Sequence, residues 1–297
     1  MDINYELYKV FYHVASSLSF SEASKQLFIS QSAVSQSIKT LEKKIGQPLF
    51  IRSTKKVQLT PAGELLLQHI EPAMHLIQRG EEQIQNVNDT QLGQLHISAS
   101  DTICRYFLVP YIKKFHQLYP DVPIRITNAP SKSCVDLLEQ GQVDIIISND
   151  PNTRLQPSYI TKTLSVFQDV FVANPAYFPQ TTKQMTFKGI SELPILMLGK
   201  NSTTSEYLHQ IFLENRLDLV PAFQLYSNDL LIDLARIGLG IAFVPDYCIR
   251  KSTKELQIVN TKETLPRRRL VAATHPTLPL SASADAFLAL LPDVATA

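Results

Sequence analysis

Residues 19–50 read SFSEASKQLFISQSAVSQSIKTLEKKIGQPLF. They predict two short amphipathic helices around a tight break near Phe28-Ile29-Ser30. On the second helix Val34, Ile38, Leu41 and Ile45 recur at helical spacing and form one apolar stripe. Ser32, Ser35, Gln36, Lys39 and Lys43 form another. Packing alone requires only the first stripe. The second carries short hydrogen-bonding groups near the helix start and cations farther along. A helix entering a DNA major groove needs that combination, because short polar side chains reach base edges while lysines meet phosphates. Two helices joined by a tight turn, the second of them reading, make a helix-turn-helix.

The flanks extend this unit. Leu7, Val10, Phe11 and Val14 are spaced as one face of a preceding helix. Ser21 is placed to cap the second helix and Ser30 the third, which Gly46 stops. Residues 49–52 and 57–59 are short extended runs around the turn Ser53-Thr54-Lys55-Lys56. This hairpin would be a wing, with Arg52, Lys55 and Lys56 set against adjacent DNA backbone or minor groove. Thr60-Pro61 opens a further helix, with a capping hydroxyl and proline at the first helical position, running to about Asn88. Leu66, Ile70, Ala73, Ile77, Gly80, Ile84 and Val87 mark a heptad seam along it, and pairing with a second copy would bury that seam. Pro72 removes one hydrogen bond, which predicts a kink or two stacked segments.

Charge supports the division. Residues 1–64 hold eight Lys/Arg against five Asp/Glu, a net +3, and the other 233 residues hold 20 against 22. A small basic front on a slightly acidic body points to a polyanion at one end. Three scattered cysteines, Cys104, Cys134 and Cys248, form no C-x-x-C and are expected as free thiols in a reducing cytoplasm. No run approaches the ~20 apolar residues of a membrane helix, and the N-terminus lacks a signal-peptide h-region.

From residue 92 strand-like and helix-like runs alternate: QLHISAS, YIKKFHQLYP, PIRITNA, SCVDLLEQ, VDIIIS, and the theme repeats to SADAFLALL. About 205 residues of α/β pattern exceed one small sheet, so two lobes with a cleft between them are expected. Ligands in such sheets sit beyond the carboxyl ends of strands, at helix N-termini. Three such points are rich in hydroxyls: Ser98, Ser100 and Thr102; Ser131, Lys132 and Ser133; Asn201, Ser202, Thr203 and Thr204. Facing helix N-termini favour a small anion. Lys132 and Arg105 could add charge.

The stretch FYHVASSLSFSEASKQLFISQSAVSQSIKTLEKKIGQPLFIRSTKKVQLTPAG resembles the amino-terminal domain of the LysR-type transcriptional regulators. The segments LEQGQVDIIIS, IGLGIAFVP and LPLSASADAFLALL resemble that family's effector domain more loosely. The resemblance implies a multidomain chain: an all-α winged helix-turn-helix (1–59), a long linker and dimerisation helix (60–90), and an α/β, two-lobed, periplasmic-binding-protein-like effector domain (91–297). Lobe I would comprise about 91–162 and 267–297, lobe II about 163–266. It further implies a cytoplasmic, DNA-binding regulator of transcription switched by a small anionic metabolite. The partners implied are an interrupted inverted repeat in promoter DNA, the co-inducer, further copies of itself up to a homotetramer, and RNA polymerase. Gln31, Ser32, Ser35 and Gln36 fall at the start of the reading helix, Lys39 on the DNA backbone and Arg52 at the wing. In the family the loops corresponding to the hydroxyl-rich turns line the effector pocket, which implies Ser100, Thr102, Ser131, Lys132, Ser202 and Thr203 as effector contacts. Many family members have arginine where Gln36 stands; glutamine suits adenine rather than guanine.

Enzyme signatures fail. Gly238-Leu-Gly240 lacks the third glycine of a dinucleotide loop, with Phe243 in its place. No phosphate loop, H-E-x-x-H or G-x-S-x-G elbow occurs, and the histidines lack ligand spacing. No catalytic residue, metal or cofactor is expected. A solute-delivery module would need a signal peptide or anchor and would leave residues 1–88 unexplained.

Overall fold

The computed structural model describes residues 3–52, 56–88, 92–249 and 255–294. Two compact units emerge: residues 1–85 with 140–142, and residues 86–139 with 143–297.

The amino-terminal unit comprises α1 (Tyr5–Ser17), α2 (Phe20–Gln26), α3 (Gln31–Ile45), β1 (Phe50–Arg52), β2 (Val57–Leu59) and α4 (Pro61–Asn88). Its core is the set the helical spacing selects: Val10, Phe11 and Val14 of α1 with Val34, Ile38 and Leu41 of α3, all buried. Leu7 and Ile45 pack on that cluster from its edge. The cap of α2 is Ser19 rather than Ser21: the Ser19 hydroxyl accepts from the Glu22 N–H at 3.2 Å. Starting the helix two residues earlier places Phe20 inside it, where its ring meets Phe50 edge-on at 5.8 Å. Ser30 caps α3 through the Ala33 N–H, and Gly46 ends it with φ +84°. The break between α2 and α3 is tight because Phe28 adopts φ +56°, which bulky residues seldom do.

Strands β1 and β2 pair antiparallel, Phe50 opposite Leu59. Ser53, Thr54 and Lys55 lie outside the described residues, as does the side chain of Arg52. Thr60 starts α4: its hydroxyl donates to the Pro48 carbonyl (2.7 Å) and accepts from the Gly63 N–H (3.0 Å). Gly63 is required here, because a Cβ at that position would stand 2.2 Å from the Leu49 carbonyl oxygen. Helix α4 runs unbroken through Pro72, so it is not two stacked segments. Leu66 and Ile70 of the seam pack on the core of this unit. Farther along, Ile77 and Ile84 are 57% and 69% exposed. The Val87 side chain lies outside those described.

The carboxyl-terminal unit runs β3 (Leu95–Ala99), α5 (Asp101–Ile103), α6 (Val109–Leu118), β4 (Ile124–Asn128), α7 (Ser131–Glu139), β5 (Ile145–Asp150), β6 (Ile160–Phe167) and β7 (Asp169–Ala173). It continues α8 (Phe187–Ser191), β8 (Ile195–Leu198), α9 (Thr203–Glu214), β9 (Phe223–Leu225), α10 (Asn228–Arg236), β10 (Ile241–Pro245), β11 (Gln257–Ile258), β12 (Arg268–Thr274) and α11 (Ala282–Leu290). These form two five-stranded sheets, ordered β4-β3-β5-β12-β6 and β11-β7-β10-β8-β9. Strands β3, β4 and β5 are mutually parallel, as are β8, β9 and β10.

Both sheets are covered on both faces, which explains unbroken apolar runs where a half-exposed strand would alternate. In β5, Ile145 and Ile147 enter one core and Ile146 the other. In β10, Ile241 and Phe243 enter one core while Ala242 and Val244 enter the other. Strand β6 belongs to the first sheet, paired along its length with β12. The chain therefore leaves lobe I after Phe167, five residues beyond the boundary the sequence suggests. It crosses at Gln168 and returns just before Arg268.

Candidate functional site

Two sites emerge, one in each unit. In the first, α3 is held by its buried stripe, and this fixes which residues face out. Gln31, Ser32, Gln36 and Lys39 are exposed and Ser35 is half-buried. Ser32 shares a 2.8 Å hydroxyl contact with Ser30. Gln31, Gln36 and Lys39 have no side-chain partner among the described residues, which leaves their hydrogen-bonding capacity for a ligand. Lys43 and Lys44 continue the cationic edge, both exposed, as is Lys56 at the base of the wing. Lys55 lies outside the described residues.

Sequence reasoning missed Glu42. Its Oε1 accepts from the backbone N–H groups of Leu49 (2.8 Å) and Phe50 (3.2 Å), tying the root of the wing to the reading helix. The bond depends on the chain returning seven and eight residues later, which periodicity does not show.

The second site is a cavity of about 270 Å³ within the carboxyl-terminal unit. It brings together Ser100 and Thr102 after β3, Ser131 at the start of α7, and Ser202 and Thr203 at the start of α9. The residues come together because each ends a strand or opens a helix on the same side of its sheet. Several are also caps: Ser100 accepts from the Ile103 N–H and Ser202 from the Thr204 N–H. Thr102 accepts from the Asn228 amide at 2.9 Å, which links the lobes at the cavity wall.

Lys132 does not line the cavity. Its ammonium lies 2.9 Å from Glu206 Oε2 on α9, where the Thr153 hydroxyl also donates at 3.3 Å. Arg105 is likewise engaged, 3.7 Å from Asp229, and the Tyr106 hydroxyl donates to the same carboxylate at 2.6 Å. Both expected cations are therefore clasps between lobes. Their partners stand more than 70 residues away, beyond the reach of local pattern.

Sequence reading also missed Asn149 at the end of β5, Asn228 at the start of α10, and Tyr247, all of which line the cavity. Each has a polar atom, Oδ1 or the phenol oxygen, with no hydrogen-bond partner among the described residues. Burial pushes the Tyr247 hydroxyl well above its usual range, so it stays protonated and able to donate.

At the crossing between lobes, Arg268 and Asp169 are fully buried and paired at 2.8 Å. The same Arg268 nitrogen donates to Thr204 Oγ1 at 3.2 Å, and the guanidinium lies 4.8 Å from the Tyr207 ring centre. Burial pushes the Asp169 carboxyl up while Arg268 pulls it down. The pair thus joins the hinge to the first turn of α9, which forms one wall of the cavity. Burial also raises the Cys104 and Cys134 thiols to about 11, so both are neutral at physiological pH. All three cysteines are free. No helix among the described residues is long and apolar enough to cross a membrane.

Residues 5–64 match the bacterial regulatory helix-turn-helix protein, lysR family, and residues 88–296 match the LysR substrate binding domain. A "Probable RuBisCO transcriptional regulator" of Synechocystis is 30% identical over 294 residues, covering 95% of this chain and 84% of its own. Full-length CbnR complexed with target DNA superposes with TM-score 0.67 at 15% identity, over 97% of this chain and 99% of its own. The regulatory domain of Synechocystis CcmR in complex with 2-PG gives TM-score 0.60 at 18% identity, over 66% of this chain and 94% of its own. At such identities the two structures establish the shared fold. By its family matches and its curated relative, the chain belongs to the LysR family: it is a DNA-binding transcriptional regulator, not an enzyme, and its second domain binds a small-molecule effector.

Proposed function

We propose that Gln31, Ser32, Ser35 and Gln36 read base edges in the major groove, that Lys39 contacts a phosphate, and that Arg52, Lys55 and Lys56 serve the wing. The observation that carries this reading is the outward polar row on α3, in which Gln31, Gln36 and Lys39 have no side-chain partner among the described residues, fixed in direction by Val34, Ile38 and Leu41 beneath it. The functional division is 1–59 for DNA, 60–90 for dimerisation and 91–297 for the effector. Its two lobes exchange the chain at Gln168 and again just before Arg268.

The exposed run of Ile77 and Ile84 on α4 supports pairing through the linker helix. Two such dimers make a tetramer that holds an interrupted inverted repeat, works in the cytoplasm and meets RNA polymerase at the promoter. Ser100, Thr102, Ser131, Ser202 and Thr203 contact a small anion in the cleft; the CcmR regulatory domain, which shares this fold, is in complex with 2-PG in its own structure. Lys132 acts from the rim, through Glu206, rather than on the ligand. Ligand closes the lobes, and closure alters the spacing of the DNA-binding units.

Selection of duplexes from a random pool by the full-length protein tests this directly. The expected product is an interrupted inverted repeat, whose half-sites are spaced by the geometry of a dimer. Recovery of single half-sites, or of no preferred sequence, would count against it.

A further inference from the structure

We infer that Phe28, in the turn before α3, belongs to the DNA-reading surface and packs against the methyl group of a thymine in the major groove. This rests on the reading of α3 proposed above and extends it by one residue type that hydrogen bonding cannot supply. Phe28 is 96% exposed, the highest value of any large hydrophobic side chain among the described residues. Its neighbour Leu27 packs on the core of the amino-terminal unit, and Phe28 does not join that cluster. A ring left in water adds nothing to folding, because no apolar area is removed from solvent.

The backbone at Phe28 carries a second cost. Its φ of +56° lies in the left-handed region, which glycine and asparagine enter more cheaply than a bulky residue. Two backbone bonds pin this conformation. The Phe28 N–H donates to the Lys25 carbonyl at 3.2 Å, and the Ile29 N–H donates to the Ser24 carbonyl at 3.1 Å. A turn that only reversed the chain would be better made by glycine or asparagine. Strain held at a defined position, with a ring that the fold does not use, points to a contact outside the chain.

Position selects the partner. Residues 28–33 are exposed without interruption, and Gln31 and Ser32 within that run are the first reading positions of α3. Ser30 caps α3 through the Ala33 N–H at 3.2 Å, which fixes the turn to the first residues of the helix. Ile29, 41% exposed, continues the apolar surface from Phe28 toward that helix. A helix that enters the major groove by its N-terminus brings this turn with it. The base edges there present hydrogen-bond donors and acceptors and one apolar group, the thymine C5 methyl, which phenylalanine meets by direct contact.

Binding of the full-length protein to a selected duplex tests the inference, with each thymine of a half-site replaced in turn by deoxyuridine, which lacks only that methyl. The parent is expected to lose about threefold at one position, the scale of one buried methyl group. In Phe28→Gly that penalty is expected to vanish, and affinity for the thymine duplex to fall at least threefold. The slope of affinity against salt should stay unchanged, because no phosphate contact is lost. Phe28→Asn, which also suits a positive φ, should behave in the same way. Equal binding of the parent to every deoxyuridine duplex overturns the inference, as does a penalty that both variants keep in full. Self-association lost in Phe28→Gly without DNA, read by sedimentation, would assign the ring to a second copy of the chain and overturn it too. In each of those cases, a loss of sequence preference in Ser35→Ala/Gln36→Ala leaves the reading of α3 standing without Phe28, and no such loss removes both.

Discussion

Replacing Arg268 by alanine is expected to destabilise the carboxyl-terminal domain by about 3–5 kcal/mol, the range for breaking one partner out of a buried ion pair. The loss is large because Asp169 stays behind with no exposure to water. Scanning calorimetry of the full chain should show its carboxyl-terminal transition lowered by roughly 10 °C, since about 1 kcal/mol corresponds to ~2–4 °C in a domain of this size. The pH dependence has a defined sign. Burial already raises the folded-state Asp169 pKa above 3.8, and removing the arginine takes away the cause that lowers it. A carboxyl with a raised folded pKa favours folding when protonated, and that contribution is lost as pH rises from the unfolded value through the folded one. The variant should therefore be weakest near neutrality and recover on acidification. Exchanging both partners for apolar residues, Arg268→Met with Asp169→Leu, should regain much of the stability. It should not regain the coupling between hinge and cavity wall that runs through Thr204.

Gln36→Arg is expected to change which base is preferred at one step of each half-site. Glutamine pairs in two-pronged fashion with adenine N6 and N7, arginine with guanine O6 and N7, and a good pair of this kind discriminates by ~1–3 kcal/mol. That corresponds to about 5- to 150-fold between the two bases, with the sign reversed by the substitution. Duplex selection repeated with the variant measures it. Because Gln36 is exposed and unpartnered in the free protein, the fold should not register the change. An unaltered preference at every position would place Gln36 away from the bases.

The helix-turn-helix was legible because one stripe of α3 must be buried and the other has no packing role. Val34, Ile38 and Leu41 are fully buried, as the spacing requires. The cap of α2 was misread because two serines compete. Ser19 with Glu22 three residues later is the stronger signal, and it was present in the sequence. The doubly wound lobes were legible as alternating runs, and their hydroxyl-rich turns do converge, since chain direction alone puts strand ends and helix starts on one side. The roles of Lys132 and Arg105 were not legible. A lysine beside a helix start looks the same whether it meets a ligand or a glutamate 74 residues away, and only the tertiary fold brings Glu206 to it. Asn149, Asn228 and Tyr247 escaped notice for a related reason: no spacing marks a polar residue that keeps an atom without a partner among the described residues.

The proposed groove reading by α3 is tested most directly by one ratio. At a single salt concentration, the full-length protein and its Ser35→Ala/Gln36→Ala variant are titrated with a selected duplex and with a scrambled one of equal length. Loss of two base contacts worth ~1–3 kcal/mol each should lower the selected-to-scrambled affinity ratio by at least tenfold while scrambled binding, held by Lys39 and its neighbours, stays within about twofold. A ratio unchanged in a variant that melts like the parent would contradict the assignment of this face to DNA bases.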